Sequence, residues 1–129
     1  MDKTVDTFNK VCEKLGKDPK DYAVQPEWDV HEKYAMGIKR LLLIHKFHQG
    51  RKKVSFANQK NKWFPCFRPE YDDSGRLSGF RFIGSGYSYS SAFSVLGPLL
   101  RFLDEETSSF VGRAFLEEFN NVLMLENEL

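Results

Sequence analysis

A series of short aromatic segments in the second half of the chain most constrains the fold. Residues 62–67 read Lys-Trp-Phe-Pro-Cys-Phe, residues 79–82 read Gly-Phe-Arg-Phe, and residues 100–104 read Leu-Arg-Phe-Leu-Asp. Short aromatic runs bounded by turn residues are typical of β-strands. The last run leads directly into an acidic segment with a helix-start signal. These segments therefore predict an α+β protein.

The predicted architecture is a small antiparallel sheet of three to four strands packed against two or three helices. The order along the chain is α-α-β-β-(β)-β-α. Apolar periodicity and capping signals predict helices at residues 5–15, 29–50 and 104–124, and the aromatic segments predict strands at residues 62–68, 77–83 and 99–103. Residues 87–90 alternate tyrosine with serine, which predicts a further strand or an exposed loop.

A chain of 129 residues with this pattern predicts one domain, residues 1–129. It divides into a helical part (1–50), a basic loop (51–61), a sheet followed by the last helix (62–124), and a tail (125–129) that we expect to fray.

Capping residues set the expected helix boundaries. Thr4 is expected to cap the first helix, and Gly16 to end it. Asp29 with Glu32 has the form of a capping box at the start of the second helix. Asp104 is expected to accept a hydrogen bond from the amide of Thr107.

Glycine and proline mark three further positions. Pro65 predicts an edge strand or a bulge, because proline cannot donate to a sheet ladder. The Gly-Ser-Gly of residues 84–86 predicts a break in the second strand. Gly112 costs helix stability, so we expect this small residue to let the last helix lie close against the sheet.

Composition and motifs exclude several classes of protein. No apolar run approaches the length that crosses a bilayer, and no secretory signal precedes the first helix, so we expect no membrane association. The two cysteines, Cys12 and Cys66, are expected to be buried free thiols rather than a disulfide. We expect no cofactor and no enzymatic activity, since no recognisable catalytic set is present.

Three weaker constellations have simpler explanations. His45 and His48 lie three apart on a helix, but a zinc site needs three or four ligands, so no metal is expected. Cys66 follows a proline in an aromatic strand, which suits an inert thiol better than a nucleophile. Asp72 and Asp73 are sufficiently explained as turn residues.

Charge is strongly segregated although the net charge is only +1. Residues 33–69 hold ten bases and no acid, whereas residues 104–129 hold seven acids and one arginine. One interpretation is that the basic middle packs near the acidic end. The alternative is a nucleic-acid surface, on which rings stack bases and cations meet phosphates. The basic-surface candidates are Arg51, Lys52, Lys53, Lys60 and Lys62.

A second candidate surface contains Tyr87, Tyr89 and Phe93. Tyrosines are enriched at protein interfaces because they supply rigid area with a polar tip. The same residues would equally serve to cap the sheet, so both interpretations stay open. If the surface is a contact site, the partner is a protein, and a homo-oligomer is one form of that contact.

The order of these motifs resembles a family of small uncharacterised proteins encoded by bacteriophages and mobile elements of Bacteroides-type gut bacteria. The matching segments are residues 13–19, the Lys-Trp-Phe-Pro-Cys-Phe of residues 62–67, the Gly-Phe-Arg-Phe of residues 79–82, and the pair formed by residues 100–102 and 110–115. Pro98 and Leu99 depart from the family pattern. The resemblance implies a phage or mobile-element origin and an α+β fold, but it supplies no activity.

The expected function is therefore that of a non-enzymatic accessory protein acting through protein–protein contacts. It would be a virion component or an inhibitor of a host or defence system, located in the bacterial host cytoplasm or the virion. The alternative is a nucleic-acid-binding accessory protein that uses the basic loop at residues 51–62.

Overall fold

The computed structural model describes residues 1–50, 62–88 and 100–129, with the side chain of Ser88 excepted. Four α-helices and two strands are present in these ranges, with a 3-10 helix at Pro19–Tyr22. Their bounds are α1 (Phe8–Leu15), α2 (Val30–Gln49), β1 (Lys62–Tyr71), β2 (Leu77–Ser88), α3 (Glu105–Ala114) and α4 (Leu116–Glu126).

The prediction of a three- to four-stranded sheet is wrong. Within the described ranges the sheet is a single antiparallel hairpin of β1 and β2. Of the predicted strand at residues 99–103 the structure describes residues 100–103, and these form one bridge, in which Trp63 and Phe102 exchange two N–H···O bonds of 2.7 Å. The reason is visible on either side of Phe102. In the antiparallel ladder the next bonded pair toward β1 would join Leu100 to Pro65, which has no N–H, while the Asp104 carbonyl accepts from the amide of Ser108 as α3 begins. The groups beside Phe102 point away from β1, where the carbonyl of Arg101 accepts from His45 and the amide of Leu103 donates to Gln49.

The predicted break at residues 84–86 is also wrong, because β2 continues through them to Ser88. Gly84 absorbs the irregularity with a φ of 128°, a conformation that favours glycine. The register shifts between Cys66 and Phe67 on the opposite strand, one residue beyond Pro65. Pro65 itself is paired with Ser85, and the extra residue at the shift is Ile83 of β2, so the irregularity does not lie at Pro65.

The start of the first helix differs from the prediction. Thr7, not Thr4, is the N-cap, and its side chain accepts from the amide of Lys10. Thr4 instead donates its amide and hydroxyl to the Asp2 carboxylate, at 2.9 and 2.6 Å. The end of the helix is as predicted, because Gly16 adopts a left-handed φ of 68°.

The other two helix starts are confirmed. The Asp29 carboxylate accepts from the amide of Glu32 at 2.8 Å, and α2 begins at the next residue. The Asp104 carboxylate accepts from the amide of Thr107 at 2.7 Å. Both contacts satisfy amides that lack a partner within the helix.

The expected last helix is divided into α3 and α4. Phe115 separates them with φ −108° and ψ 30°, and its side chain is buried at 2% exposure. The division lets α3 lie on the hairpin while α4 packs against α2. α4 includes Leu125 and Glu126, so the expected fraying tail is shorter than predicted.

Gly112 has the role that the sequence predicted. A Cβ atom on this residue would lie 2.6 Å from Pro65 Cβ and 2.6 Å from Phe82 Cε1. Because real Cβ atoms do not approach so closely, α3 can contact the hairpin at this distance only through glycine.

The helices are joined to one another by an apolar core and by one arginine. The core contains Val5, Phe8, Val11, Leu41, Ile44, Phe102, Val111, Phe115 and Val122. Arg40 of α2 forms a two-bond ion pair with Glu118 of α4, at 3.0 and 3.2 Å. Its Nη1 also donates to the carbonyl of Tyr22 at 2.9 Å, and its guanidinium carbon lies 3.8 Å from the Phe8 ring centroid.

None of the described helices combines the length and the apolar character that crossing a membrane requires.

Candidate functional site

The structure describes two of the residues proposed for contact surfaces, Tyr87 and Lys62. The others lie outside the described residues: Arg51, Lys52, Lys53, Lys60, Tyr89 and Phe93. The basic loop and the end of the tyrosine segment therefore stay sequence-based predictions.

Lys62 lies inside the protein rather than on its surface. Its side chain is 0% exposed at the start of β1, where it is paired with Ser88 of β2. A buried ammonium group is not accessible to a phosphate backbone. An exposed basic surface in this region would thus be formed by residues other than Lys62.

Tyr87 is an exposed ring at the end of the described hairpin. Its side chain is 59% exposed, and its ring centroid lies 5.0 Å from that of Trp63, its cross-strand partner. Trp63 is held in turn by the two backbone bonds to Phe102. Tyr87 is therefore an exposed aromatic residue on a fixed support, which is the arrangement that protein interfaces favour.

The rings farther along β1 are used for internal packing. Phe67 lies 4.9 Å from Phe119 of α4 and 6.0 Å from Phe82 of β2, measured between ring centroids. Pro65 lies against Gly112 of α3. This face of β1 is covered by helices, so Phe67 is not available to stack on a nucleic-acid base.

A cavity of about 230 Å³ lies between α2, β1 and α4. Its walls are mainly apolar, and we call it the α2–α4 cavity. The apolar side chains that line it include Ile38, Leu41, Phe64, Phe67, Phe119 and Leu123.

Arg101 contributes the cationic group of this cavity. Its guanidinium carbon lies 4.0 Å from the ring centroid of Phe64, another lining residue. The Nη1 atom of Arg101 is buried and has no hydrogen-bond partner in the described part of the chain. Burial lowers the pKa of Arg101 from its usual value, and Cys66 opposes this shift.

The backbone of Arg101 is fixed by α2. His45 donates its Nε2–H to the Arg101 carbonyl. Burial lowers the pKa of His45, although the same hydrogen bond acts in the opposite direction. The neutral imidazole is therefore favoured. With the Trp63–Phe102 bridge beside it, this contact holds Arg101 at the wall of the cavity.

Glu126 contributes an anionic group to the lining, and Tyr34 occupies one of its oxygens. The Tyr34 hydroxyl donates to Glu126 Oε1 at 2.6 Å. This hydrogen bond raises the pKa of Tyr34 to about 12, with burial as a smaller cause. The lining thus contains a partnered carboxylate and an arginine whose buried Nη1 atom has no partner in the described part of the chain.

The histidines and cysteines do not form a joint site. His48 is buried at 4% exposure and donates its Nε2–H to the carbonyl of Val5 at 2.9 Å, whereas His45 is engaged with Arg101. Both thiols are free, Cys12 buried and Cys66 half-buried. Within residues 1–50, 62–88 and 100–129, no group of three or more His, Cys, Asp or Glu side chains is placed to hold a metal ion.

Comparisons with protein-family models, with curated proteins and with solved structures find no match to this chain. The resemblance to phage-encoded proteins therefore stays a prediction.

Sequence reasoning did not identify Arg101 or the cavity. Arg101 is the only charged residue in the run Leu-Leu-Arg-Phe-Leu at residues 99–103, and the composition of this run predicts a strand. A single cation within a short apolar run is the signal that points to a buried charge. The cavity itself has no signal in the sequence, because its lining comes from four separate segments.

Proposed function

We propose that this protein is a non-enzymatic binding protein, which recognises an acidic surface of another protein through the exposed Tyr87 ring and its neighbour Trp63. The observation that carries the proposal is the 59% exposure of Tyr87 on a ring pair that the backbone of β1 holds in place. A rigid tyrosine contributes contact area at a low cost in conformational entropy.

The charge of the adjacent sequence supports an acidic partner. Residues 33–69 carry ten bases and no acid, and Trp63 lies within this range. Two of these bases do not contribute to a contact surface, because Lys62 is buried and Arg40 is paired with Glu118. Complementary charge steers association and determines which partners are accepted. An aromatic anchor beside a basic segment fits an acidic protein surface with an apolar pocket for the ring.

The resemblance to phage-encoded proteins supports a proposal about where this function operates. On that basis the protein is an accessory protein of a phage or mobile element, acting in the bacterial host cytoplasm or in the virion. Its partner is then a host or phage protein.

The test places a photo-crosslinking phenylalanine analogue at position 87 of the full chain, expressed in bacterial cells. Position 71 is the matched control, because Tyr71 is 63% exposed at the opposite end of the same hairpin. We expect a protein that crosslinks from position 87 and not from position 71. With the purified partner, Tyr87→Ala should weaken binding by about 10-fold or more, and Tyr71→Ala should not.

Three outcomes would contradict the proposal. Equal crosslinking from both positions would show that Tyr87 is not a specific contact. A crosslink only to a second copy of the chain would assign the surface to a homodimer. Binding only to nucleic acid, with an affinity that falls steeply as salt increases, would favour the basic-loop alternative.

A further inference from the structure

We propose that the α2–α4 cavity is a binding site for a small amphipathic carboxylate, whose apolar body fills the cavity and whose carboxylate pairs with Arg101. This site is separate from the Tyr87 surface and does not depend on the function proposed for it.

The size of the cavity limits the ligand. An apolar cavity of roughly 150 Å³ holds a benzene molecule. The α2–α4 cavity has about 230 Å³, and on the same scale it accommodates about nine or ten non-hydrogen atoms. A medium-chain fatty acid or an aryl-alkanoic acid has this size.

The lining determines the apolar part of the ligand. Phe64, Phe67 and Phe119 supply rings, and Ile38, Leu41 and Leu123 supply branched aliphatic side chains. A polar group in the body of the ligand would lose its hydrogen bonds to water in such surroundings without replacing them. An alkyl chain or a single aromatic ring loses none.

Arg101 determines the charge of the head group. It is the cation among the residues that line the cavity, and its buried Nη1 atom has no partner in the described part of the chain. Because Nη1 is shielded on all sides, a ligand carboxylate reaches it only when the guanidinium turns toward the cavity, and the new hydrogen bonds then offset the cost of its desolvation. The Arg40–Glu118 contact shows the geometry in this same protein, because two of the guanidinium nitrogens there donate to one carboxylate. A carboxylate is also the group that fits the planar donors of arginine with two parallel bonds.

Glu126 disfavours two other kinds of ligand. Its carboxylate would repel a second anionic group on the ligand. Tyr34 already donates to Glu126 Oε1, which leaves less acceptor capacity for an ammonium group. The ligand therefore carries one negative charge, at the end that meets Arg101.

The test compares octanoate with 1-octanol, a neutral molecule of the same length. Both are titrated into the full chain by isothermal calorimetry and by ¹H–¹⁵N NMR. We expect octanoate to bind about 10- to 100-fold more tightly than octanol, the range expected for a charge-assisted hydrogen bond. Shifts should occur at lining residues such as Leu41, Phe119 and Leu123.

Two arginine variants separate the contribution of the ligand's carboxylate to binding from the contribution of its apolar body. Arg101→Met should reduce octanoate affinity to that of octanol and leave octanol binding unchanged. Arg113→Met is the matched control, because Arg113 is exposed and its guanidinium carbon also lies over a phenylalanine ring, 5.4 Å from the Phe82 centroid. It should bind octanoate as the wild type does.

The NMR titration of the wild type needs no variant, so the test remains decisive if Arg101→Met does not fold. Equal affinity for the acid and the alcohol would overturn the role of Arg101. Shifts confined to surface residues, or no binding of either molecule, would overturn the site.

Discussion

Arg40 and Arg101 both stack on a phenylalanine ring, but they differ in the hydrogen-bond partners of their guanidinium groups. Each places its guanidinium over a phenylalanine ring, Phe8 for Arg40 and Phe64 for Arg101, at 3.8 and 4.0 Å. Arg40 then forms two bonds to Glu118 and one to the carbonyl of Tyr22. Arg101 keeps a buried Nη1 atom without a hydrogen-bond partner in the described part of the chain.

The difference follows from what lies opposite each guanidinium. Arg40 faces a carboxylate that α4 supplies, so the contact joins α2, α4 and the last residue of the 3-10 helix. Arg101 lines a cavity that is mainly apolar, and the carboxylate in its lining, Glu126, is bonded to Tyr34 instead. A satisfied arginine stabilises the fold, whereas an unsatisfied one is destabilising until an acceptor arrives. The first region is therefore structural, and the second is suited to binding.

Arg40→Met tests the structural half of this comparison and has the largest expected effect. The side chains of Arg40 and Glu118 are only 22% and 13% exposed, so the substitution leaves a carboxylate largely desolvated. We expect the free energy of unfolding to fall by about 2 to 3 kcal/mol, measured by urea denaturation. Methionine retains most of the contact with the Phe8 ring.

Lys10→Met is the control for this measurement. Lys10 pairs with Asp6 at 2.8 Å, but both side chains are about half exposed. Its removal should cost less than about 0.5 kcal/mol. The double variant Arg40→Met with Glu118→Met should recover part of the loss, because it leaves no unpaired charge. Equal effects of Arg40→Met and Lys10→Met would show that Arg40 is no more than a surface ion pair.

The pH dependence of stability tests the histidines, one of which fixes Arg101. Burial lowers the pKa values of His45 and His48 below the usual 6.5 in the folded state. The unfolded chain therefore binds more protons, and stability must fall as the pH decreases below about 6.5. The slope can reach about 1.4 kcal/mol per pH unit for each histidine.

Urea denaturation between pH 7 and pH 5 checks this expectation. His45→Gln should reduce the slope, and His31→Gln should not, because His31 is exposed at the start of α2. Asp2, Asp6 and Asp72, whose pKa values are lowered, titrate below this range. A stability that is constant from pH 7 to pH 5 would contradict burial as the dominant cause.

The helical part of the fold could be read from the sequence because its signals are local. Asp29, Asp104 and Gly16 act on backbone groups within a few residues, so the side-chain type is sufficient to place a helix end. Gly112 was also interpreted correctly, since a glycine inside a helix has few purposes other than close contact.

The sheet could not be read in the same way because strand pairing is decided at a distance. Residues 99–103 have the composition of a strand, yet Pro65 of β1 has no N–H for the next ladder bond, and the groups of Arg101 and Leu103 on the other side bond to His45 and Gln49 of α2. Gly84 has the composition of a break, yet β2 continues through it, because the register shift beside it places one extra residue, Ile83, on the same strand. The α2–α4 cavity could not be predicted from the sequence for the same reason, because its lining residues meet only after α4 has packed on α2.

Arg101→Met tests the binding half of the comparison and has the smallest expected effect on stability. The substitution removes a cation over the Phe64 ring, which costs at most about 1 kcal/mol, but it also removes a buried donor that has no partner. The two terms oppose each other, so the free energy of unfolding should change by less than about 1 kcal/mol in urea denaturation. A loss as large as that of Arg40→Met would mean that Arg101 already holds the fold together. A near-neutral result, with octanoate binding lost in the same variant, would mean that the guanidinium of Arg101 serves a ligand rather than the fold.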